Sequence, residues 1–159
     1  MPFADTPFAA LTVIAAPAIL TNASSVLALG TGNRIARVVD RTRYLTRELA
    51  DDALEDRRRD VYWNQLGGLQ VRAQLLLRAL RWFYTSLGAF AASALIAVIG
   101  SVVASYQGQR VAEAFAVVGL LTGTLGVAGL VTGCTLMVRE TRLAVRHLSE
   151  EATLLNRRR

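Results

Sequence analysis

WFYTSLGAFAASALIAVIGSVVASYQGQ, residues 82–109, contains no charged side chain. A helix needs about 20 residues to cross roughly 30 Å of hydrocarbon, so this run is long enough to span a bilayer. Two further runs share the property: TPFAALTVIAAPAILTNASSVLALGTGN at 6–33 and AFAVVGLLTGTLGVAGLVTGCTLMV at 114–138. Lipid offers no partner to backbone N–H and C=O groups, so each run is expected to be helical. The alternative is a soluble bundle with very apolar core helices. Three charge-free runs in a chain of 159 residues, 53% of them hydrophobic, argue against it. The sequence therefore predicts an all-α integral membrane protein with three transmembrane helices.

Orientation follows from the arginines. All eighteen basic residues are Arg, eleven of them in 34–81 and six in 139–159, with Arg110 alone elsewhere. Positively charged segments stay in the cytoplasm, which places 34–81 and 139–159 inside and the N-terminus and the 107–113 turn outside. Trp82, Phe83 and Tyr84 at one end of the second run, and Tyr106 at the other, suit the two interfaces. The chain then divides into 1–33, a first span with a short outside N-terminus; 34–81, a cytoplasmic hairpin; 82–138, two spans joined by a short turn; and 139–159, a cytoplasmic C-terminal helix. A bacterial inner membrane is the expected location. Asp5 stands where a cleavable signal would carry basic residues, so the first span is expected to be retained.

The cytoplasmic segments read as continuations of the membrane helices. No proline follows Pro17 to force a break. Ile35, Val38, Thr42, Leu45 and Leu49 recur in steps of three and four, as do Tyr62, Leu66, Leu69, Ala73, Leu76, Leu80 and Phe83. This is the spacing of a coiled-coil seam. The hairpin turn is expected within 51–60, where charge is densest, with Gly67–Gly68 as a second candidate. Gly30 and Gly32 are candidates for a bend where the first span leaves the membrane. Leu143, His147, Leu148, Ala152 and Leu155 mark a third arm, giving a cytoplasmic three-helix bundle. Arg34, Arg37, Arg78, Arg81, Arg139 and Arg142 fall near the membrane surface. There they orient the chain, and each gains on the order of 1 kcal/mol from anionic lipid headgroups. Acidic residues are interspersed with them, so no one-signed nucleic-acid surface is expected.

Ala16-Pro17-Ala18-Ile19-Leu20, followed by Asn33-Arg34-Ile35-Ala36-Arg37-Val38-Val39-Asp40-Arg41-Thr42-Arg43-Tyr44-Leu45, resembles the small bacterial membrane proteins catalogued as domain of unknown function 2721. The resemblance implies three membrane helices and no established activity. It supplies no catalytic residue.

Catalytic patterns are absent from the residues themselves. There is no Lys, which excludes Schiff-base and phosphate-loop chemistry. One histidine, His147, and one cysteine, Cys134, leave neither a Ser–His–Asp triad nor a Cys- or His-based metal cluster. Asp51, Asp52, Glu55 and Asp56 could hold a cation through oxygen ligands, but a charged loop tip in water explains them better. Gly30-Thr31-Gly32 lacks the third glycine of a dinucleotide fingerprint and reads as a helix–helix junction. No enzyme activity, cofactor or metal is expected.

The first span is the informative one. At 100° per residue Pro17, Thr21, Ser24, Ser25 and Ala28 share about a quarter of the circumference, with Asn22 at its edge and Ile19, Leu20, Val26 and Leu27 opposite. This small, hydroxylated side either packs helices or lines a hydrated path in an oligomer. On the third span Gly119, Gly123, Gly129 and Gly133 make two GxxxG spacings for close helix packing, within one chain or between chains. Three helices alone are too few to surround water, so a path needs a ring of copies. The reading that results is a non-enzymatic homo-oligomer with a channel-like path for ions or small solutes. The alternative is a scaffold or assembly factor whose cytoplasmic bundle binds a protein partner.

Overall fold

Pro17 is the last residue able to break a helix, and three long helices form. The computed structural model describes residues 9–50, 55–107 and 109–156. Helix α1 is Ala9–Leu49, α2 is Asp56–Gln107 and α3 is Gln109–Asn156. No strand occurs among the described residues. Pro17 lies inside α1 without ending it. Gly30, Gly32, Gly67 and Gly68 also lie inside continuous helix, so neither the helix–helix junction nor the second candidate turn occurs there. An interior glycine costs a helix about 1 kcal/mol, which packing of neighbours such as the buried Ala28, Thr31, Leu66 and Leu69 can offset.

The ends of the α1–α2 hairpin have identifiable causes. The Ala50 N–H donates to the Arg47 carbonyl at 3.1 Å, a tightened last turn. The Glu55 carbonyl accepts the N–H groups of Arg58 at 2.9 Å and Arg59 at 3.1 Å, which starts α2. Asp56 in the first turn complements the positive helix end. Of the stretch 51–60 expected to hold the turn, 51–54 lie outside the described residues and Asp56–Asp60 already belong to α2.

Among the described residues two helical stretches, where the sequence predicts three, are long and apolar enough to cross a membrane: Asp56–Val103 and Arg110–Val145. Little of the two apolar stretches is covered by the chain itself. Leu95, Val102, Val117, Leu120, Leu121 and Leu125 are all exposed.

The chain forms two compact units, Met1–Ala28 with Arg81–Thr132, and Leu29–Leu80 with Gly133–Arg159. In the first unit α2 and α3 approach through small residues. The Ser93 hydroxyl donates to the Gly119 carbonyl at 2.9 Å. A Cβ on Gly126 would stand 2.6 Å from the ring of the buried Phe90, and one on Gly129 would stand 2.6 Å from the Ser86 hydroxyl. In the second unit the interior is mostly aliphatic, with Thr31 and Glu140 also buried. Val38, Leu45, Leu66, Leu69 and Leu76 form one buried cluster, flanked by Ile35, Leu49, Tyr62, Ala73 and Met137. These are largely the seam positions read from the three-four spacing. Of the third arm, the half-buried Leu143 is described. The side chains of His147, Leu148, Ala152 and Leu155 lie outside the described residues.

Candidate functional site

The hydroxyl face of α1 divides once neighbouring helices are in place. Ser24 and Ala28 are buried. Pro17 lines a cleft in the first unit together with Phe90, Ser93, Gly100 and Phe115. Thr21 is half-buried, and its carbonyl accepts the Ser25 hydroxyl at 3.0 Å. Ser25 and Asn22 face outward, with Ala18 and Leu29 on the same exposed edge at steps of four, three and four. The expected stripe is thus half packing surface and half open edge. The Ser24 hydroxyl is buried without a hydrogen-bond partner.

The glycines of α3 take the packing role within this chain. A Cβ added at Gly119 would stand 3.5 Å from Ile96, one at Gly123 3.3 Å from the Ser93 hydroxyl, and one at Gly129 would meet Ser86 and Trp82. Gly133 is buried. Gly100 faces Phe115 closely enough that a Cβ would stand 2.8 Å from the Phe115 Cβ.

The six arginines expected at the membrane surface do not form one group. Arg139 and Arg142 line a shallow groove with Val71 and Leu75. Arg78 and Arg81 are exposed. Arg34 and Arg37 line a cleft of about 340 Å³ in the second unit, with Arg41, Arg72, Val38, Leu69 and Glu140. Glu140 is the centre of this cleft and is only 2% exposed. Its Oε1 accepts Nε and Nη2 of Arg72, both at 2.8 Å. Its Oε2 lies 3.4 Å from Nη1 of Arg34, which also donates to the Thr141 hydroxyl at 3.1 Å. Arg41 donates to Gln65 Oε1 at 3.5 Å, and its guanidinium lies over the Tyr44 ring at 5.2 Å.

Arg41, Arg72 and Glu140 were not singled out by sequence. One signal was present: Glu140 continues the seven-residue spacing of Gly119, Gly126 and Gly133, the face of α3 that packs inward. An acidic residue on a packing face has to find a cation, since an unpaired buried carboxylate is costly.

No group of three or more His, Cys, Asp or Glu side chains able to hold a metal occurs among the described residues, and Asp51 and Asp52 lie outside them. Cys134 is half-buried and reduced.

No curated protein matches the chain, and no solved structure does. One family profile does match, over residues 14–150, and its description is a protein of unknown function, DUF2721. That match takes in all of α2, most of α1 and α3, and the Arg34–Arg72–Glu140 cluster, and the chain belongs to this family.

Proposed function

We propose that the chain is a non-enzymatic protein of the bacterial inner membrane that works as a homo-oligomer, with the outer edge of α1 facing a channel-like path for ions or small solutes. In this reading α1 is the third span, the N-terminus is outside, and the Arg-rich 34–81 and 139–159 segments are cytoplasmic and serve as gate or collar. The observation that carries it is Asn22, which is exposed within a charge-free run and flanked on the same edge by the exposed Ala18 and Ser25. An amide left in hydrocarbon without a partner costs roughly 2–7 kcal/mol, so a second α1 or a file of water has to meet it. Ala18 and Ser25 are small enough to let another helix approach. Several copies in a ring supply the enclosure that one chain lacks.

The test is ion flux from liposomes holding the purified chain. The expected result is a leak that an Asn22→Leu, Ser25→Leu double variant abolishes. Equal flux from both proteins, at equal incorporation, rejects the path.

A second reading, a membrane scaffold that binds a protein partner, is favoured by Trp63, 63% exposed, and its exposed neighbour Val61 in the charged hairpin. Crosslinking with mass spectrometry in native membranes separates the two. Links only between copies favour the ring, and one dominant foreign protein favours the scaffold.

A further inference from the structure

The cleft around Glu140 carries more positive charge than the fold needs. It brings four guanidiniums, those of Arg34, Arg37, Arg41 and Arg72, to a single carboxylate. Like charges gathered in one concavity repel, and one Glu offsets only part of that repulsion. Three of the four are also held in place. Glu140 fixes Arg72 and Arg34, Gln65 and the Tyr44 ring fix Arg41, and each guanidinium has five N–H donors, most of which these contacts leave unused. Fixed, forked donors around a small cavity are the arrangement that recognises a phosphate, because the guanidinium plane pairs with two of its oxygens at once. In the sequence, Arg34 is the first charge after the apolar run of α1, and Glu140 follows directly on Arg139, which ends the apolar run of α3. Phosphate headgroups concentrate at such an apolar-to-charged border.

We propose that this cleft is a binding site for a phosphate group, presented by an anionic lipid headgroup or as a free anion, with Glu140 as the residue that positions Arg34 and Arg72 for it. The proposal is independent of the conducting path and survives its failure, since the site stands on the second unit alone.

The experiment uses the full chain in an uncharged detergent. One arm titrates inorganic phosphate at ionic strength held constant with chloride and follows the unfolding midpoint. The other equilibrates the protein with equal amounts of phosphatidylglycerol and phosphatidylcholine and counts retained lipids by native mass spectrometry. Arg37→Gln with Arg41→Gln removes two exposed guanidiniums of the cleft and leaves the Glu140 pairs intact. Arg57→Gln with Arg58→Gln removes the same charge at exposed positions outside it. The expected result is a midpoint rise of about 3 °C or more at saturating phosphate, or preferential retention of phosphatidylglycerol. Either response should weaken by about tenfold in apparent affinity in the cleft variant and not in the charge-matched one. A response to phosphate identifies a free anion as sufficient, and a response to phosphatidylglycerol alone identifies the headgroup. No response in either arm overturns the site, and so does an equal loss in both variants, which would mean bulk charge. If the double cleft variant does not purify folded, Arg37→Gln alone carries the same comparison.

Discussion

The two units are built from the same three helices and have opposite interiors. In the first, the buried residues include Ser24, Ser86 and Ser93, close-set glycines and two phenylalanines, while Leu95, Leu120, Leu121 and Leu125 point outward. In the second, Leu45, Leu66, Leu69 and Leu76 point inward, and the buried charge is Glu140 with its arginine partners. The inversion follows from the surroundings each surface suits. Burying a Leu away from water contributes about 1.5–3 kcal/mol, which organises the second unit. Against acyl chains that gain vanishes, and helices associate instead through close backbone approach and short hydrogen bonds such as Ser93 to Gly119.

The widest gap between the units should appear on truncating leucines. Leu76→Ala empties a fully buried position and should cost about 3 kcal/mol or more. Leu120→Ala, at a position 71% exposed, should change stability by less than about 0.5 kcal/mol in detergent or lipid. Unfolding midpoints at one fixed scan rate give the comparison, and comparable losses would mean the first unit is organised like a water-soluble core.

Next in size is the asymmetry of the Glu140 cluster. Arg72→Leu leaves a carboxylate that is 2% exposed with only the longer contact to Arg34, and should cost about 2–3 kcal/mol. Glu140→Leu frees two guanidiniums whose side chains are already partly exposed and can turn to water, so it should cost less than half as much. The order of the two midpoints is the readout. A reversed order would mean that packing of the Glu140 side chain, rather than its charge, holds the second unit together.

The helices, their length and the inward positions of the second unit were legible in the sequence because a three-four spacing states which residues share a face. Ile35, Val38, Leu45, Leu66, Leu69 and Leu76 needed nothing more. Which helix meets that face is a different question, and spacing within one helix does not answer it. Glu140 finds Arg72 across 68 positions and Arg34 across 106, so their meeting depends on the register of three helices at once. The same gap explains α1. Its small polar face was visible, but not that Ser24 and Ala28 would be covered by the chain's own helices while Asn22 and Ser25 stayed outside.

The smallest expected effects separate glycines that matter by contact from glycines that only loosen a helix. At Gly126 a new Cβ meets the Phe90 ring at 2.6 Å, and that ring is 1% exposed and has little room to retreat. Gly126→Ala should therefore lower stability by about 1–2 kcal/mol, the usual range for overpacking. At Gly67 in the second unit no atom lies within 4 Å of the added Cβ, and the backbone is ordinary helix. Alanine there removes conformational freedom from the unfolded chain without a clash, and Gly67→Ala should raise stability by about 0.5–1 kcal/mol. The opposite signs are what close packing in one unit and loose helix in the other require. A gain at Gly126 would mean that α2 and α3 can separate there at no cost, and the contrast between the two interiors would then lose its basis in backbone approach.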